Sequence, residues 1–410
     1  MKQEFYIMIK KHLSCMAIAF FLFISGAFGA TFFSGYAGGK LNYIANPDVK
    51  EYDPELKLQA FFAGQFNFSQ NFWSHIEFSV DTQDFLNQSL FHATPSMFQV
   101  DEISLIFRGN LYEATNYFSL FMGTYDPVGS DVFLQRYFTI KPISSKITES
   151  YLGLAGSILY PHFGVGISNV LRFQPAPIAL GGYVYINHED VKNYVLNTDL
   201  RFANVLRYLT FDFAAGVGIP LENKYKGNDV IVAIEKIYWH AGTTILLGNN
   251  YTQSLFLQAG IYNASFVPQG NSIISPDDFY ILLEPRFLFD ALRVNISIFC
   301  LPKDTVKKLL LVDDTLGANL NIYLDSFVIG SQPFTIGAHA GFSLIDKTFL
   351  DLKEPQKLLN SEYNINITPY IYTNFLSGEI HIQSKIRLMD FINGDKTKAF
   401  SIDLGYRTKF

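Results

Sequence analysis

Apolar and polar residues alternate along most of this chain. Leu56, Leu58, Ala60, Phe62, Phe66 and Phe68 fall on one side of a segment whose other side holds Lys57, Gln59, Gln65 and Asn67. Leu209, Phe211, Phe213, Ala215 and Val217 oppose Tyr208, Thr210, Asp212, Ala214 and Gly216. Ile380, Ile382, Ile386 and Leu388 oppose Glu379, His381, Gln383, Lys385 and Arg387. Successive side chains of a strand point to opposite faces, so period two marks strands with one apolar and one polar face. Strands of soluble sandwiches run to about 5–6 residues, whereas a tilted strand crossing a bilayer needs about 9–11. The segments here have the longer length, and most carry ionisable groups on the polar side. The pattern predicts an all-β protein, a transmembrane antiparallel β-barrel with a polar lumen. A secreted array of sandwiches or a β-helix fits less well.

Strand candidates fall at 32–44, 56–68, 71–81, 100–108, 116–124, 151–160, 162–172, 179–187, 194–204 and 207–219. They continue at 237–248, 252–263, 278–289, 291–301, 315–324, 333–345, 361–374, 378–389 and 398–410. Bacterial single-chain barrels have an even strand number and short periplasmic turns. The short links at 69–70, 205–206, 249–251, 290 and 375–377 share one end only if one candidate between 151 and 187 is removed. Either 179–187 belongs to a loop, or 151–160 does and 173–178 is a turn. Both solutions give about 18 strands (within 16–20) and both termini periplasmic.

Composition sharpens this picture. The chain is 49% apolar and only 17% charged, which rules out a disordered polyampholyte and a coiled coil. Its mean hydropathy of +0.15 is low for helical spans of about 20 apolar residues each. Only Leu13–Phe33 approaches such a span. Lys10 and Lys11, the apolar run Cys15–Ile24 and the small residues Ser25–Ala30 instead read as a secretory signal peptide, residues 1–29, cleaved after Gly29. Met8 as the start would give it more ordinary proportions. Cleavage removes Lys2, Lys10, Lys11 and Glu4 from a net charge of −6, leaving −8 on the barrel, residues 30–410. An acidic mature chain argues against nucleic-acid partners. Cys300 is its one thiol, so no disulfide staples the mature chain.

The C-terminal segment places Phe400, Ile402, Leu404, Tyr406 and Phe410 on one face. Asp403, Gly405, Tyr406 and Phe410 sit where the assembly signal of bacterial outer-membrane proteins has its polar residue, glycine and aromatics; Thr408 departs from the apolar residue preferred there. With the signal peptide and the chain-long alternation, the sequence resembles bacterial outer-membrane β-barrels of porin type, in pattern over the whole mature chain and with no narrower subfamily indicated. That resemblance implies residence in the outer membrane of a diderm bacterium, contact with its lipids and insertion by the barrel assembly machinery. It also implies passive diffusion of small polar solutes, no cofactor, and the homotrimers common among porins.

In the order set by parity, 45–55 is the first extracellular loop, 82–99 the second and 125–150 the third. The third is the longest and carries Asp126, Asp131, Arg136, Lys141, Lys146 and Glu149, with a β-rich patch at Val132–Ile140. In porins the third loop folds inward and opposes acidic loop residues to basic wall residues. The loop here is similar in order and size, and by pattern alone it either constricts the lumen or stands in solvent. Wall candidates for the opposite charge are Arg286 and Arg293, which flank the link at 290, with Glu284 diagonal to Arg293. Lys385, Arg387 and Arg407 follow on the polar faces of the last two strands. Pairing 385 with 403 and 379 with 409 would set Lys385 beside Asp403 and Glu379 beside Lys409. Both signs throughout predict a mixed-charge lumen without strong ion selectivity.

Motifs for chemistry fail. The eight histidines stand singly without the spacing of a metal site. Gly166-Ile167-Ser168-Asn169-Val170 lacks the final glycine of a nucleophile elbow, and Gly35–Leu41 is one residue short of a phosphate loop. No enzyme is expected. Two other functions share the barrel pattern. A transporter for hydrophobic compounds, of fatty-acid-uptake type, would need an N-terminal plug; alternation starting near Phe32 leaves no room for one, and residues 41–55 could form part of one only if the first strand is misplaced. A surface adhesin or antigen would use the long loops.

Overall fold

The computed structural model describes residues 32–45, 54–82, 97–148, 163–187, 194–221, 224–225, 228–229, 237–266, 275, 278–306, 309–393 and 399–409. Residues 1–29, expected to form a signal peptide, the 151–160 candidate, Glu149 and Phe410 lie outside the described residues.

Eighteen long strands form the wall. They are β1 (Phe32–Ala45), β2 (Pro54–Ser69), β3 (Phe72–Asp81), β4 (Met97–Leu111), β5 (Ala114–Thr124) and β6 (Phe163–Phe173). Next come β7 (Ile178–Asn187), β8 (Tyr194–Val205), β9 (Leu209–Leu221), β10 (Ile237–Leu247), β11 (Ser254–Phe266) and β12 (Phe279–Phe289). The last are β13 (Leu292–Cys300), β14 (Leu316–Ile329), β15 (Gln332–Leu344), β16 (Tyr363–Phe375), β17 (Gly378–Arg387) and β18 (Phe400–Lys409). Each pairs antiparallel with its neighbours in chain order, and β1 also pairs with β18, Gly39 opposite Tyr406 and Leu41 opposite Leu404. The sheet is therefore a closed 18-stranded barrel with no free edge.

The surplus strand resolves in favour of the second solution. β5 pairs directly with β6, Thr124 opposite Phe163 and Ala114 opposite Phe173, and Gln174–Pro177 turn the chain into β7. The barrel closes without 151–160. Residues 41–45, one part of the segment available for a plug, lie in β1 and hence in the wall.

Alternation becomes an outside and an inside. On β8, Leu200 is 70% exposed and its neighbour Arg201 only 3%. On β5, Phe118, Leu120 and Met122 are exposed while Ser119 and Phe121 are buried. A bilayer core holds no water to satisfy backbone groups, and a closed ladder satisfies them within the protein.

Turn chemistry separates the two ends. Tight turns of two residues join β2–β3, β4–β5, β12–β13, β14–β15 and β16–β17. Leu376 and Ser377 both take positive φ, 46° and 62°, the left-handed pair that matches the twist of a two-residue hairpin. The long links lie at the opposite end. Pairing of Tyr36 with Lys409 puts the start of β1 and the end of β18 at the short-turn end.

Two sequence expectations about register fail by small steps. The β12–β13 turn holds two residues, Asp290 and Ala291, rather than one, so Arg286 pairs with Asn295. Arg293 is then diagonal to Arg286, but Glu284 hydrogen-bonds Ser297 and Arg286 instead of lying diagonal to Arg293. Between β17 and β18 the pairs are Gln383–Asp403, Lys385–Ser401 and Glu379–Arg407. This is a shift of two residues, which preserves the in/out parity but parts Lys385 from Asp403 and Glu379 from Lys409.

Candidate functional site

The described part of the third loop, Tyr125–Thr148, lies inside the barrel. Its conformation starts at Asp126, whose φ of 44° turns the chain inward; Asp tolerates that region better than most residues. A short helix follows, α1 (Val132–Phe138), where the sequence suggested a β-rich patch. Phe133, Leu134 and Tyr137 are its buried residues, and their spacing of i, i+1 and i+4 is the apolar face of a helix. They pack against Phe121, Tyr183, Tyr185 and Phe256 on the inward face of the wall. The lumen thus contains an apolar core between loop and wall, which period-two reasoning assigns only to the outside.

Ionic groups fix the two flanks of this core. Arg136 donates through Nη2 to both carboxylate oxygens of Glu102, at 2.7 and 2.9 Å, and through Nη1 to Asp126 at 2.5 Å. Its guanidinium also lies 4.4 Å from the centre of the Tyr125 ring. Glu102 pairs across the sheet with Glu77, two inward carboxylates side by side. His75 meets Glu77 at 2.6 Å and Arg136 meets Glu102, so each carboxylate has a basic partner. Tyr137 and Tyr183 donate hydroxyl hydrogen bonds to Asp126, at 3.2 and 3.0 Å. Burial pushes the Asp126 carboxyl up, against the pull of Arg136 and Arg201. On the far side Arg201 grips Asp212 with Nε and Nη2 and gives Nη1 to the Asp126 carbonyl.

The loop then descends. Asp131 accepts hydrogen bonds from the backbone and hydroxyl of Ser144, at 2.9 and 2.5 Å, and closes the segment on itself. Gln258 of β11 donates to the Gly129 carbonyl at 2.7 Å. Ser145 donates to Glu284 of β12, and Arg286 donates to Glu284 at 2.7 Å and to the Ile143 carbonyl at 2.8 Å. Asn250, in the β10–β11 turn at the short-turn end, donates to the Pro142 carbonyl. Lys141 holds its ammonium 5.2 Å from the Tyr251 ring centre. A segment that leaves the wall at the long-link end therefore reaches the opposite mouth.

A second link folds inward beside it. Asp313, between β13 and β14, lies 2.5 Å from Lys385 Nζ and 3.3 Å from Arg387 Nε. It also accepts from Asn366 at 2.6 Å. Burial pushes the Asp313 carboxyl up, but attraction to Lys385, its hydrogen bond and Arg387 outweigh that, so it sits below the usual carboxylate range. Lys385 donates also to the Leu310 carbonyl at 2.7 Å.

The sequence-selected residues fall into four places. Asp126, Asp131 and Arg136 lie in the loop core. Lys141, Glu284, Arg286 and Arg293 surround a cleft at the short-turn mouth. Lys385 and Arg387 hold the Asp313 link, while Arg407 stands 3.4 Å from Glu379. Of the C-terminal residues, Asp403 is bound by Lys40 and Asn42, each at 2.8 Å, Gly405 pairs with His381, and Tyr406 donates to the Leu376 carbonyl. Sequence reasoning overlooked Glu102, Arg201, Asp212 and Asp313. The first three were visible as charges at polar-face positions of strand candidates, Asp212 alone on its strand, Arg201 two residues from Asp199 and Glu102 beside Asp101; Asp313 left no periodic trace. Among the described residues, no group of three or more His, Cys, Asp or Glu side chains is placed to hold a metal.

No protein-family model matches the chain, and no curated protein matches it. Among solved structures, a loop-deletion mutant of OmpT, an outer membrane protein of Vibrio cholerae, aligns with 93% of this chain and 99% of its own, at 9% identity and a TM-score of 0.41. A triple mutant of the Rhodopseudomonas blastica porin aligns with 93% of this chain and all of its own, at 9% identity and a TM-score of 0.42.

Proposed function

We propose that the protein is a porin-like channel of a bacterial outer membrane, through which small polar solutes diffuse passively along a lumen of mixed charge. The observation that carries this reading is the inversion of the barrel. Large apolar side chains such as Leu120, Leu200 and Ile298 are exposed on the outside, and Arg201, Asp212, Gln258, Glu284 and Lys385 point inward. An apolar exterior of that extent suits lipid, and a polar interior suits a hydrated path. In this reading the short turns and both chain ends face the periplasm. Residues 125–150 form the third extracellular loop and narrow the path, with Asp126, Asp131, Arg136, Lys141, Glu284, Arg286, Arg293, Lys385, Arg387 and Arg407 lining it or holding its linings in place. Asp403, Gly405, Tyr406 and Phe410 address the chain to the barrel assembly machinery, and outer-membrane lipids surround the wall. Diffusion needs no catalytic residue, cofactor or metal.

Folded protein added to a planar lipid bilayer should insert and give stepwise conductance increments. Inserted barrels that stay electrically silent at all voltages and salt concentrations would sink the channel reading.

A further inference from the structure

One cleft is lined by more cations than carboxylates. It has a volume of about 420 Å³ and lies at the short-turn mouth, between the descending loop, the β10–β11 turn and the ends of β12, β13 and β14. That volume is within the usual range for small-molecule sites, about 300–1,000 Å³. Lys141, Lys146, Arg286 and Arg293 line it against only two carboxylates, Glu284 and Asp325. Glu284 is 1% exposed and already accepts from Arg286, Ser145 and Ser297. Asp325 is the other carboxylate, 3.3 Å from Arg293 Nε, so Arg286 and Arg293 each have one carboxylate partner and Lys141 and Lys146 carry the cleft's excess positive charge.

The cations are positioned from both sides. The Asn250 carbonyl accepts from Arg293 Nη1 at 3.0 Å, and the Asn250 amide holds Pro142, next to Lys141. The Ile143 carbonyl holds Arg286. Lys146, Arg286, Arg293 and Tyr323 line the cleft together. Hydroxyls of Ser254 and Tyr323 and the amide of Asn295 supply neutral donors on the same wall. Guanidinium and ammonium donors converging on one space, with hydroxyls beside them, suit the oxygens of a phosphate-type anion.

We propose that this cleft binds small solutes carrying a phosphate or similar oxyanion group as they pass the short-turn mouth. The loop cation Lys141 and the wall cations Arg286 and Arg293 hold the anion, and the remaining volume takes the solute body. The proposal rests on the channel reading for its purpose but not for its chemistry.

Isothermal titration of the folded, detergent-solubilised barrel with inorganic phosphate, glucose 6-phosphate and glucose tests it. Both anions should bind and weaken as salt rises, and glucose should not. Tighter binding of the ester than of inorganic phosphate identifies the solute body as part of the ligand; equal binding identifies the oxyanion alone. Lys141→Gln should weaken phosphate about tenfold, the equivalent of about 1.4 kcal/mol, and Arg293→Gln at least as much. Arg207→Gln, in the β8–β9 turn at the same mouth but outside the cleft, should leave binding unchanged and reports on folding. Equal heats for glucose and phosphate, or full phosphate binding by both cleft variants, would overturn the proposal. Phosphate binding by an electrically silent barrel would sink the channel and leave the cleft; conductance without phosphate binding would do the reverse.

Discussion

At the scale of residues, the lumen is held by charges that cannot be removed one at a time. Arg136 is the plainest case. It compensates Glu102 and Asp126, which are 3% and 2% exposed, and Glu102 already faces Glu77 across the sheet. Removing one partner of a buried ion pair leaves an uncompensated charge and costs about 3–5 kcal/mol, whereas replacing the whole group by apolar residues can be neutral. Arg136→Met should therefore lower the urea stability of the folded barrel by an amount in that range. Adding Glu102→Gln should recover part of the loss, because the carboxylate left unpaired is then absent. Equilibrium unfolding of the two single variants and the double variant checks this. Independent, additive losses would show that Arg136 and Glu102 are not coupled.

Elements show how much the sequence could reveal. Strand positions and facing were legible because the wall has two solvents: Phe213 is exposed and Asp212 buried, as their alternation predicts. Register was not: the unrecognised turn residue Ala291 moves the partner of Arg286 by one, and the two-residue shift between β17 and β18 leaves parity intact and so is invisible to it. The fold of the links was the least legible. Phe133, Leu134 and Tyr137 become a helical face only when Phe121 and Tyr183 offer a surface, and those wall residues look like ordinary exceptions to alternation. Asp313 had no signal at all, yet it fastens the β13–β14 link to β17. Its carboxyl is depressed, so the stabilisation it gives is present above the ordinary carboxylate value of about 3.9 and is lost as pH falls through its lower value in the folded state. Hydrogen exchange over residues 309–315 should stay protected at pH 5 and rise only below about pH 4. In Asp313→Asn the same amides should exchange faster already at neutral pH. Protection insensitive to both changes would show that Lys385 does not tether this link.

For the whole molecule, an intermediate composition is the sum of two extreme faces and one hidden core. Half the residues are apolar, yet mean hydropathy is only +0.15, because the exterior apolar band is interleaved with inward polar side chains. The third loop adds a small apolar core where a barrel of this pattern would otherwise hold water, and its contacts run from Glu102 on β4 to Glu284 on β12. Loop and wall therefore depend on each other. Replacing residues 127–148 by a short glycine–serine link should raise single-channel conductance severalfold, because the segment occupying the lumen down to Asn250 is gone. It should also cost stability, since Phe121, Tyr183, Tyr185 and Phe256 would then face water, and each buried side chain of this kind is worth about 1.5–3 kcal/mol. The two effects separate. A variant that keeps the loop but weakens its packing, Phe133→Ala, should lose about 3–5 kcal/mol of stability with a much smaller rise in conductance. If the deletion leaves conductance unchanged, ions bypass the loop, and Tyr125–Thr148 is a structural filling rather than part of the path.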